Sequence, residues 1–579
     1  MPYVIKQLNI LRDVFKDKAG IKAVIAMGLF LAANILKIVL FNYCLIPKQN
    51  IWVFEYKLQL TIFLFIIIYP VIFAVRKRMI FLTIYILQTL YILVNISYYL
   101  YFHSYLHILQ WFMLFSEGFS AANHFAAPKS VQMLIAFIDL PVFIYVFLNY
   151  FNISKVRVKL RFYRMIIIAI ALISLVVIEF QNYSHSNSLV NFVNSRFDGE
   201  SKIVERYGTM VNNIVGVYLN RSDKALTDRL HYGKDISGGK EASTEEIKDK
   251  PNFVIIQVES MDANVVNQKY KGSYIAPYLH SLSGKNVYYP YLMSYHMGGG
   301  TSDSEFSIIN SVEPIDGYPA IKIANYNYPN SFVKTLLNNS YDTVAFHGNV
   351  GGFFNRDVAF PRMGFQEFFD MTKMNMKNVG WGAPDADVFN YAFNELSTRN
   401  QPFFSYIITM TSHGPFTNAN NYYKNDRYSD IRNETVRNYF NSISYVDQSI
   451  NDFVTKIKEN FKNTYIFIWG DHTPGINNAD EYKTASFTLD GRYFEFVPLI
   501  IITPDNKVYR EEEKLASFMD ISPTILNLSK TSYDIKSNGR DLLKFGEDGG
   551  GIPFKGGIFD RESLFDQINT KAGNAFPKK

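Results

Sequence analysis

A chain of 579 residues, 48% hydrophobic and 16% aromatic, exceeds one compact core and is far too apolar for a disordered protein. Its net charge of +6 is carried mostly by Lys and Arg beside apolar runs in the first 180 residues, which gives no reason to expect nucleic acid as a partner. One cysteine, Cys44, excludes any disulfide within the chain, so every domain must hold together through its own packing.

Residues 1–180 read as a transmembrane domain. Five apolar stretches, 21–43, 58–75, 79–102, 131–153 and 163–180, approach the roughly 20 residues that span a bilayer as a helix. A cleaved leader does not account for five segments, and the uncharged second stretch lacks the polar face of a soluble bundle helix. Basic residues set the orientation. Lys6, Arg12, Lys16, Lys18 and Lys22, then Arg76, Lys77 and Arg78, then Lys155, Arg157, Lys159, Arg161 and Arg164 belong on the cytoplasmic side, while loops 44–57 and 103–130 are poor in them. The N-terminus is therefore expected inside and the C-terminal half outside. Trp111, Phe112 and Phe115 mark an interfacial helix. Lys37 and Asp139 fall within spans and either mark a transport path or have plainer roles, Lys37 snorkelling to a nearby helix end and Asp139 pairing or capping where the helix is irregular before Pro141.

Residues 181–250 have the polar, charged composition of a connector with an amphipathic helical stretch. From residue 251 to about 545 the rhythm changes. Short β-rich runs at 253–258, 343–346, 403–410, 464–469 and 497–502 alternate with helical patterns near 301–311, 328–338, 385–397, 432–460 and 513–528. Such alternation predicts an α/β domain with a mainly parallel central sheet covered on both faces, whose ligands sit beyond the carboxyl ends of the strands. The tail 546–579, with Gly549, Gly550, Gly551, Gly556 and Gly557, reads as a turn-linked hairpin or a disordered end.

The chemistry-bearing residues fall at those strand ends. Glu259 follows the first run, His347 the second, His413 the third, and Asp471-His472 the fourth after Gly470. Between the first two lies Gly298-Gly299-Gly300-Thr301-Ser302-Asp303-Ser304-Glu305-Phe306, where glycines permit close approach to the backbone and a helix start favours an anion. Ser302 and Glu305 have the spacing of a capping box, which explains the helix start without any catalysis. Carboxylate and imidazole on adjacent residues suit Zn²⁺ or Mn²⁺, and Glu259 and the Thr301 hydroxyl complete a four-ligand set. A hydroxyl next to such an ion becomes a usable nucleophile for in-line attack on a phosphoryl group. Arg356 matches phosphate oxygens, with a surface salt bridge as its plainer reading. His347 and His413 are candidate phosphate or sugar-alcohol contacts, and His413 could also carry a proton.

Five spans followed by Gln257-Val258-Glu259-Ser260, Gly300-Thr301-Ser302-Asp303-Ser304-Glu305-Phe306, Phe346-His347-Gly348-Asn349, Asn355-Arg356, Ser412-His413-Gly414-Pro415-Phe416 and Gly470-Asp471-His472 resemble the lipoteichoic acid synthase family of phosphoglycerol transferases, within the alkaline phosphatase and sulfatase superfamily. The resemblance implies a sulfatase-like extracellular domain anchored in the cell membrane of a Gram-positive type envelope. It implies Mn²⁺, with Mg²⁺ or Zn²⁺ as substitutes, held by Glu259, Thr301, Asp471 and His472. It further implies transfer of glycerol phosphate from phosphatidylglycerol through a covalent Thr301 intermediate to a glycolipid or a growing polyglycerol phosphate chain, releasing diacylglycerol. Arg356, His413 and His347 match the family's glycerol phosphate contacts. Phe354 stands where many members carry Trp, and Thr473-Pro474 follows where an aromatic residue is common, which leaves polymerase and primase both open. The rival readings are a phosphoethanolamine transferase, which the single cysteine disfavours, a sulfatase, which lacks its formylglycine sequence here, and a non-catalytic envelope protein that binds anionic polymer.

Overall fold

The computed structural model describes residues 18–45, 69, 78–102, 105–106, 131–149, 204, 209–220, 222–239, 250–476, 480–489, 492–511, 514–545 and 550–571. The chain divides into two units, with the break near residues 218–219.

The first unit contains α1 (Lys18–Leu45), α2 (Arg78–Phe102), a 3-10 turn over Val131–Phe137 and α3 (Leu140–Asn149). Three of these stretches, Ile25–Leu45, Arg78–Leu100 and Val131–Asn149, are long and apolar enough to cross a membrane. The expected spans at 58–75, apart from Tyr69, and 163–180 lie outside the described residues, as does the interfacial segment apart from residues 105–106. Lys37 and Asp139 find each other. Lys37 Nζ lies 3.0 Å from Asp139 Oδ1 with both side chains fully buried, and Asn34 and Tyr85 donate to the same carboxylate at 2.7 and 2.9 Å. Gln88 closes the cluster by exchanging hydrogen bonds with Asn34 at 3.0 Å. Two charges that are expensive in an apolar interior are thus neutralised by each other at the break between the 3-10 turn and α3.

The second unit is built on a ten-stranded sheet. Its strands are β1 (Asn252–Val258), β2 (Val287–Met293), β3 (Asp342–His347), β4 (Glu367–Phe369), β5 (Phe403–Ile408), β6 (Thr464–Gly470), β7 (Ser486–Leu489), β8 (Arg492–Ile502), β9 (Tyr509–Arg510) and β10 (Ala516–Ser517). The order is β9-β2-β8-β6-β1-β5-β3-β4, with β7 on β8 and β10 on β2. The run β6-β1-β5-β3-β4 is parallel. The sheet is mainly parallel but mixed, because β8 runs antiparallel to both β6 and β2 and carries the antiparallel β7. Periodicity alone does not reveal strand direction, and β8 reads as the same apolar run either way.

All seven residues of β1 are buried. Phe253 and Ile255 face one core while Val254, Ile256 and Val258 face the other, as the two-residue strand repeat requires. The first core takes in α4 (Thr301–Asn310), α5 (Phe332–Asn338) and α6 (Ile521–Ser529) through Phe306, Ile309, Phe332, Leu336 and Ile525. The second takes in α7 (Asp385–Leu396) and α8 (Glu434–Asn460). In α8 the buried Val436, Phe440, Ile443, Val446, Ile450, Val454 and Ile457 recur every three or four residues, and the Asn433 side chain caps the start by accepting from the Thr435 and Val436 amides at 3.0 and 3.2 Å.

Of the connector, the helix Thr209–Leu219 and the strand Lys234–Gly238 are described, and the strand pairs with Tyr533–Ser537. In the tail a hairpin joins Ile552–Phe554 to Gly557–Phe559, followed by the helix Arg561–Lys571. Arg561 forms two bonds to the buried Asp520 carboxylate, at 2.8 and 2.7 Å, and Phe554, Leu564 and Phe565 join the first core. That helix has no counterpart in the sequence-based expectation.

Candidate active site

Four neighbouring parallel strands, β6, β1, β5 and β3, end at one edge of the sheet, and the register pairs Val258 with Gly470 and His347 with Ile408. That register gathers Glu259, Asp471-His472, the loop to His413, and His347. A Cβ on Gly470 would lie 1.9 Å from the Met261 carbonyl oxygen, so only glycine lets the two chain segments pass this closely. Ser260, at φ 53°, turns the chain sharply after Glu259. Its amide donates to Asp471 Oδ1 at 2.7 Å and its hydroxyl to Glu259 Oε1 at 3.0 Å. Ser412 Oγ donates to the Glu259 carbonyl at 2.5 Å, and Thr409 Oγ1 accepts from the Glu259 amide at 2.9 Å.

Thr301 is the first residue of α4 and its hydroxyl donates to Glu259 Oε2 at 3.1 Å. The expected capping box does not form. The N-cap is Gly300, at φ 55° and ψ −133°, a conformation open essentially to glycine alone, and it makes no side-chain cap bond. Because the helix starts at Thr301, Glu305 falls too deep in the helix to reach back. Ser302 instead donates to the Gly299 carbonyl at 2.7 Å. Asp303 takes over the capping work, its Oδ2 accepting from the Met297 and Gly299 amides at 2.9 and 2.8 Å. Ser304 ties the helix to β6 by donating to the Asp471 carbonyl at 2.8 Å.

Glu259, Asp471 and His472 converge so that one ligand atom from each lies within 4.8 Å of the others. His472 Nε2 is 3.3 Å from Glu259 Oε1 and 3.6 Å from Asp471 Oδ2. His472 Nδ1 faces the Thr473 carbonyl at 2.9 Å, which places its proton there and turns Nε2 toward the carboxylates. Asp471 Oδ2 is buried and has no hydrogen-bond partner. Burial and the neighbouring Glu259 charge push the Asp471 carboxyl well up, while Glu259 is held below the usual range, against its own burial, by His413 and His472. Two buried carboxylates with one orphaned oxygen, an imidazole nitrogen and a hydroxyl form a donor set that fits a borderline divalent cation.

Arg356 is not on the surface, as its plainer reading had it. It is 1% exposed, and its guanidinium grips Glu305 through Nε at 3.1 and 2.9 Å and Nη2 at 2.6 Å. Nη1 donates to the Phe353 carbonyl at 3.3 Å, and Phe354, at φ 56°, lies with its ring 5.6 Å from the guanidinium carbon. His347 is 1% exposed, with Nδ1 on the Ile408 carbonyl at 3.3 Å. Burial first and the Arg356 charge second bring its pKa down to about 3, so it is an uncharged hydrogen-bonding group. His413 has Nδ1 2.7 Å from the Gly414 carbonyl and its ring 4.2 Å from that of Trp381.

Sequence reasoning passed over four residues here. Trp381 supports His413. Asp385 fixes the same loop, accepting from the Met410 amide at 2.7 Å and the Thr411 amide at 3.2 Å. His296 stacks on His472 at 4.1 Å, and its Nδ1 lies 2.9 Å from Glu495 Oε2. Glu495 did leave a signal, a lone charge between Phe494 and Phe496 in an apolar strand.

Residues 251–531 match the sulfatase family. This part of the chain is a sulfatase-family domain. Among curated relatives, the chain is 28% identical over 309 residues to a lipoteichoic acid synthase-like protein, YvgJ, of Bacillus subtilis, covering 50% of this chain and 49% of that one. It is 28% identical over 385 residues to the lipoteichoic acid synthase of Staphylococcus aureus, covering 62% and 58%. The match thus spans about half to six-tenths of those relatives' lengths. Among solved structures, the lipoteichoic acid synthase LtaP of Listeria monocytogenes shares 26% identity over 53% of this chain and 79% of that one, with a TM-score of 0.47. The integral membrane phosphoethanolamine transferase EptA of Neisseria meningitidis, at 14% identity, overlays 87% of this chain and 95% of its own with a TM-score of 0.50, a likeness of fold.

Proposed function

We propose that this protein transfers glycerol phosphate from phosphatidylglycerol, through a covalent ester on Thr301, to a glycolipid or a polyglycerol phosphate acceptor at the outer face of the cell membrane. The observation that carries this reading is the Thr301 hydroxyl, set on Glu259 at the mouth of the Glu259, Asp471 and His472 cluster. The similarity to lipoteichoic acid synthases supports the choice of donor and acceptor.

Glu259, Thr301, Asp471 and His472 would hold Mn²⁺. When bound, the ion neutralises phosphoryl charge and makes the Thr301 hydroxyl a stronger nucleophile. Thr301 Oγ1 attacks phosphorus, and its proton leaves through Glu259 Oε2, to which it already donates. The bond from phosphorus to the diacylglycerol oxygen breaks, and that oxygen takes a proton from His413. An acceptor hydroxyl then attacks the Thr301 ester, giving its proton to His413, the phosphorus to Oγ1 bond breaks, and Thr301 regains its proton from Glu259. Arg356, oriented by Glu305, and uncharged His347 would contact the phosphate and glycerol oxygens, with Phe354 as the apolar wall.

Incubating the full-length protein in detergent with head-group-labelled phosphatidylglycerol tests the reading. Diacylglycerol and labelled product should form with Mn²⁺ and stop on chelation. Metal-loaded protein that consumes phosphatidylethanolamine instead would favour the phosphoethanolamine rival, and one that turns over neither lipid would defeat both.

A further inference from the structure

The transfer just described leaves His296 and Glu495 without a task, although both are buried beside the cluster. Glu495 is on β8, and His296 lies in the segment that joins β2 to Thr301. A carboxylate only accepts, so the 2.9 Å contact to Glu495 Oε2 puts the His296 proton on Nδ1. The other Glu495 oxygen is itself fixed, accepting from the Thr473 amide at 3.1 Å and the Thr473 hydroxyl at 2.5 Å. One face of the His296 ring lies on His472. With one ring edge and one face so constrained, the direction of Nε2 is set. A Cβ built on Gly300 would lie 4.0 Å from this Nε2 and 3.9 Å from Phe354 Cζ. The missing side chain at Gly300 therefore leaves an opening with an imidazole nitrogen on one side and a phenyl edge on the other, one residue from the Thr301 hydroxyl.

A group that donates or accepts can pair with Nε2 whatever its protonation, and a hydroxyl is such a group. The phenyl wall suits the C–H edge of a small polyol. We propose that His296, positioned by Glu495, is a substrate contact that recognises a glycerol-type hydroxyl over Gly300. The proposal deepens the glycerol phosphate reading and rests on it for the ligand class. The hydroxyl belongs either to the glycerol of the donor or to the terminal glycerol of the acceptor.

The test compares the affinities of Mn²⁺-loaded full-length protein for sn-glycerol phosphate and for inorganic phosphate, by calorimetry. Wild type should prefer glycerol phosphate by about 5- to 10-fold, the worth of a net hydrogen bond or slightly more. In His296→Phe, which keeps a ring on His472, the preference should fall to about twofold or less with phosphate affinity little changed. Glu495→Gln should lower the preference in the same direction, and it decides the matter if His296→Phe does not fold. A preference absent from wild type, unchanged in the variants, or lost through an equal weakening of both ligands overturns the proposal. The last result would make His296 only a prop for His472. A second arm uses phosphatidylglycerol with free glycerol and reads the ratio of transfer to hydrolysis. A lower ratio in His296→Phe assigns the hydroxyl to the acceptor, and an unchanged ratio assigns it to the donor. Wild type that cleaves no phosphatidylglycerol defeats the transferase reading, while the calorimetric comparison still decides the His296 contact.

Discussion

Arg356 shows how far one side chain's role depends on a partner that the sequence does not announce. Its motif marks it as an anion contact, yet its Nε and Nη2 are committed to Glu305, 51 positions earlier. A buried pair of this kind costs about 3–5 kcal/mol when one member is removed, because the other charge is left alone. Glu305→Ala should therefore lower the melting temperature of the full-length protein markedly, whereas Glu305→Leu with Arg356→Met should recover most of the stability and no activity. Recovery of activity in the double variant would contradict a phosphate contact by Arg356. The spacing of Ser302 and Glu305 misleads for a related reason: it matches a capping box, but the helix is capped at Gly300 and Glu305 is committed to Arg356.

At the scale of elements, the strand ends were legible because parallel β/α alternation fixes where loops must emerge, and Glu259, His347, His413 and Asp471-His472 each follow an apolar run. Gly470 is the element-level constraint beneath that geometry. Gly470→Ala drives a Cβ into the Met261 carbonyl, so it should displace Asp471 and weaken Mn²⁺ binding about 10-fold or more, as loss of ligand support does elsewhere. Calorimetric titration with Mn²⁺ would show it, and unchanged affinity would count against a metal site at this strand end. His296 and Glu495 escaped notice because antiparallel β8 brings Glu495 beside a loop 199 positions earlier, a pairing that local patterns do not encode. Helix α8 offers a pH test away from catalysis. Asp447 accepts from the Tyr278 and Leu279 amides at 3.0 and 2.8 Å, and burial raises its pKa to about 6. The folded state then holds this proton more tightly than an unfolded chain with a pKa of about 3.9. The stability it contributes is full below that value and is lost as pH rises through about 6. Asp447→Asn should flatten the fall in melting temperature over that window, and an identical slope in variant and wild type would show that Asp447 is not its source.

For the whole molecule, composition alone divided an apolar N-terminal part from a polar α/β part. The division was legible because a bilayer and water select opposite surfaces. The pairing of Lys37 with Asp139 was less so, since it joins α1 to the start of α3 across 102 positions. Lys37→Ala should reduce the yield and thermal stability of detergent-extracted protein more than Lys37→Met combined with Asp139→Leu. Equal losses in both would indicate that the ion pair does more than satisfy itself. Transfer by this route requires Thr301 to become esterified. Peptide mass mapping of the full-length protein, quenched during turnover of phosphatidylglycerol with Mn²⁺ and without acceptor, should find a glycerol phosphate mass on Thr301 that is missing from Thr301→Ala. Diacylglycerol release with the adduct on another residue, or with Thr301→Ala turning over normally, would contradict it.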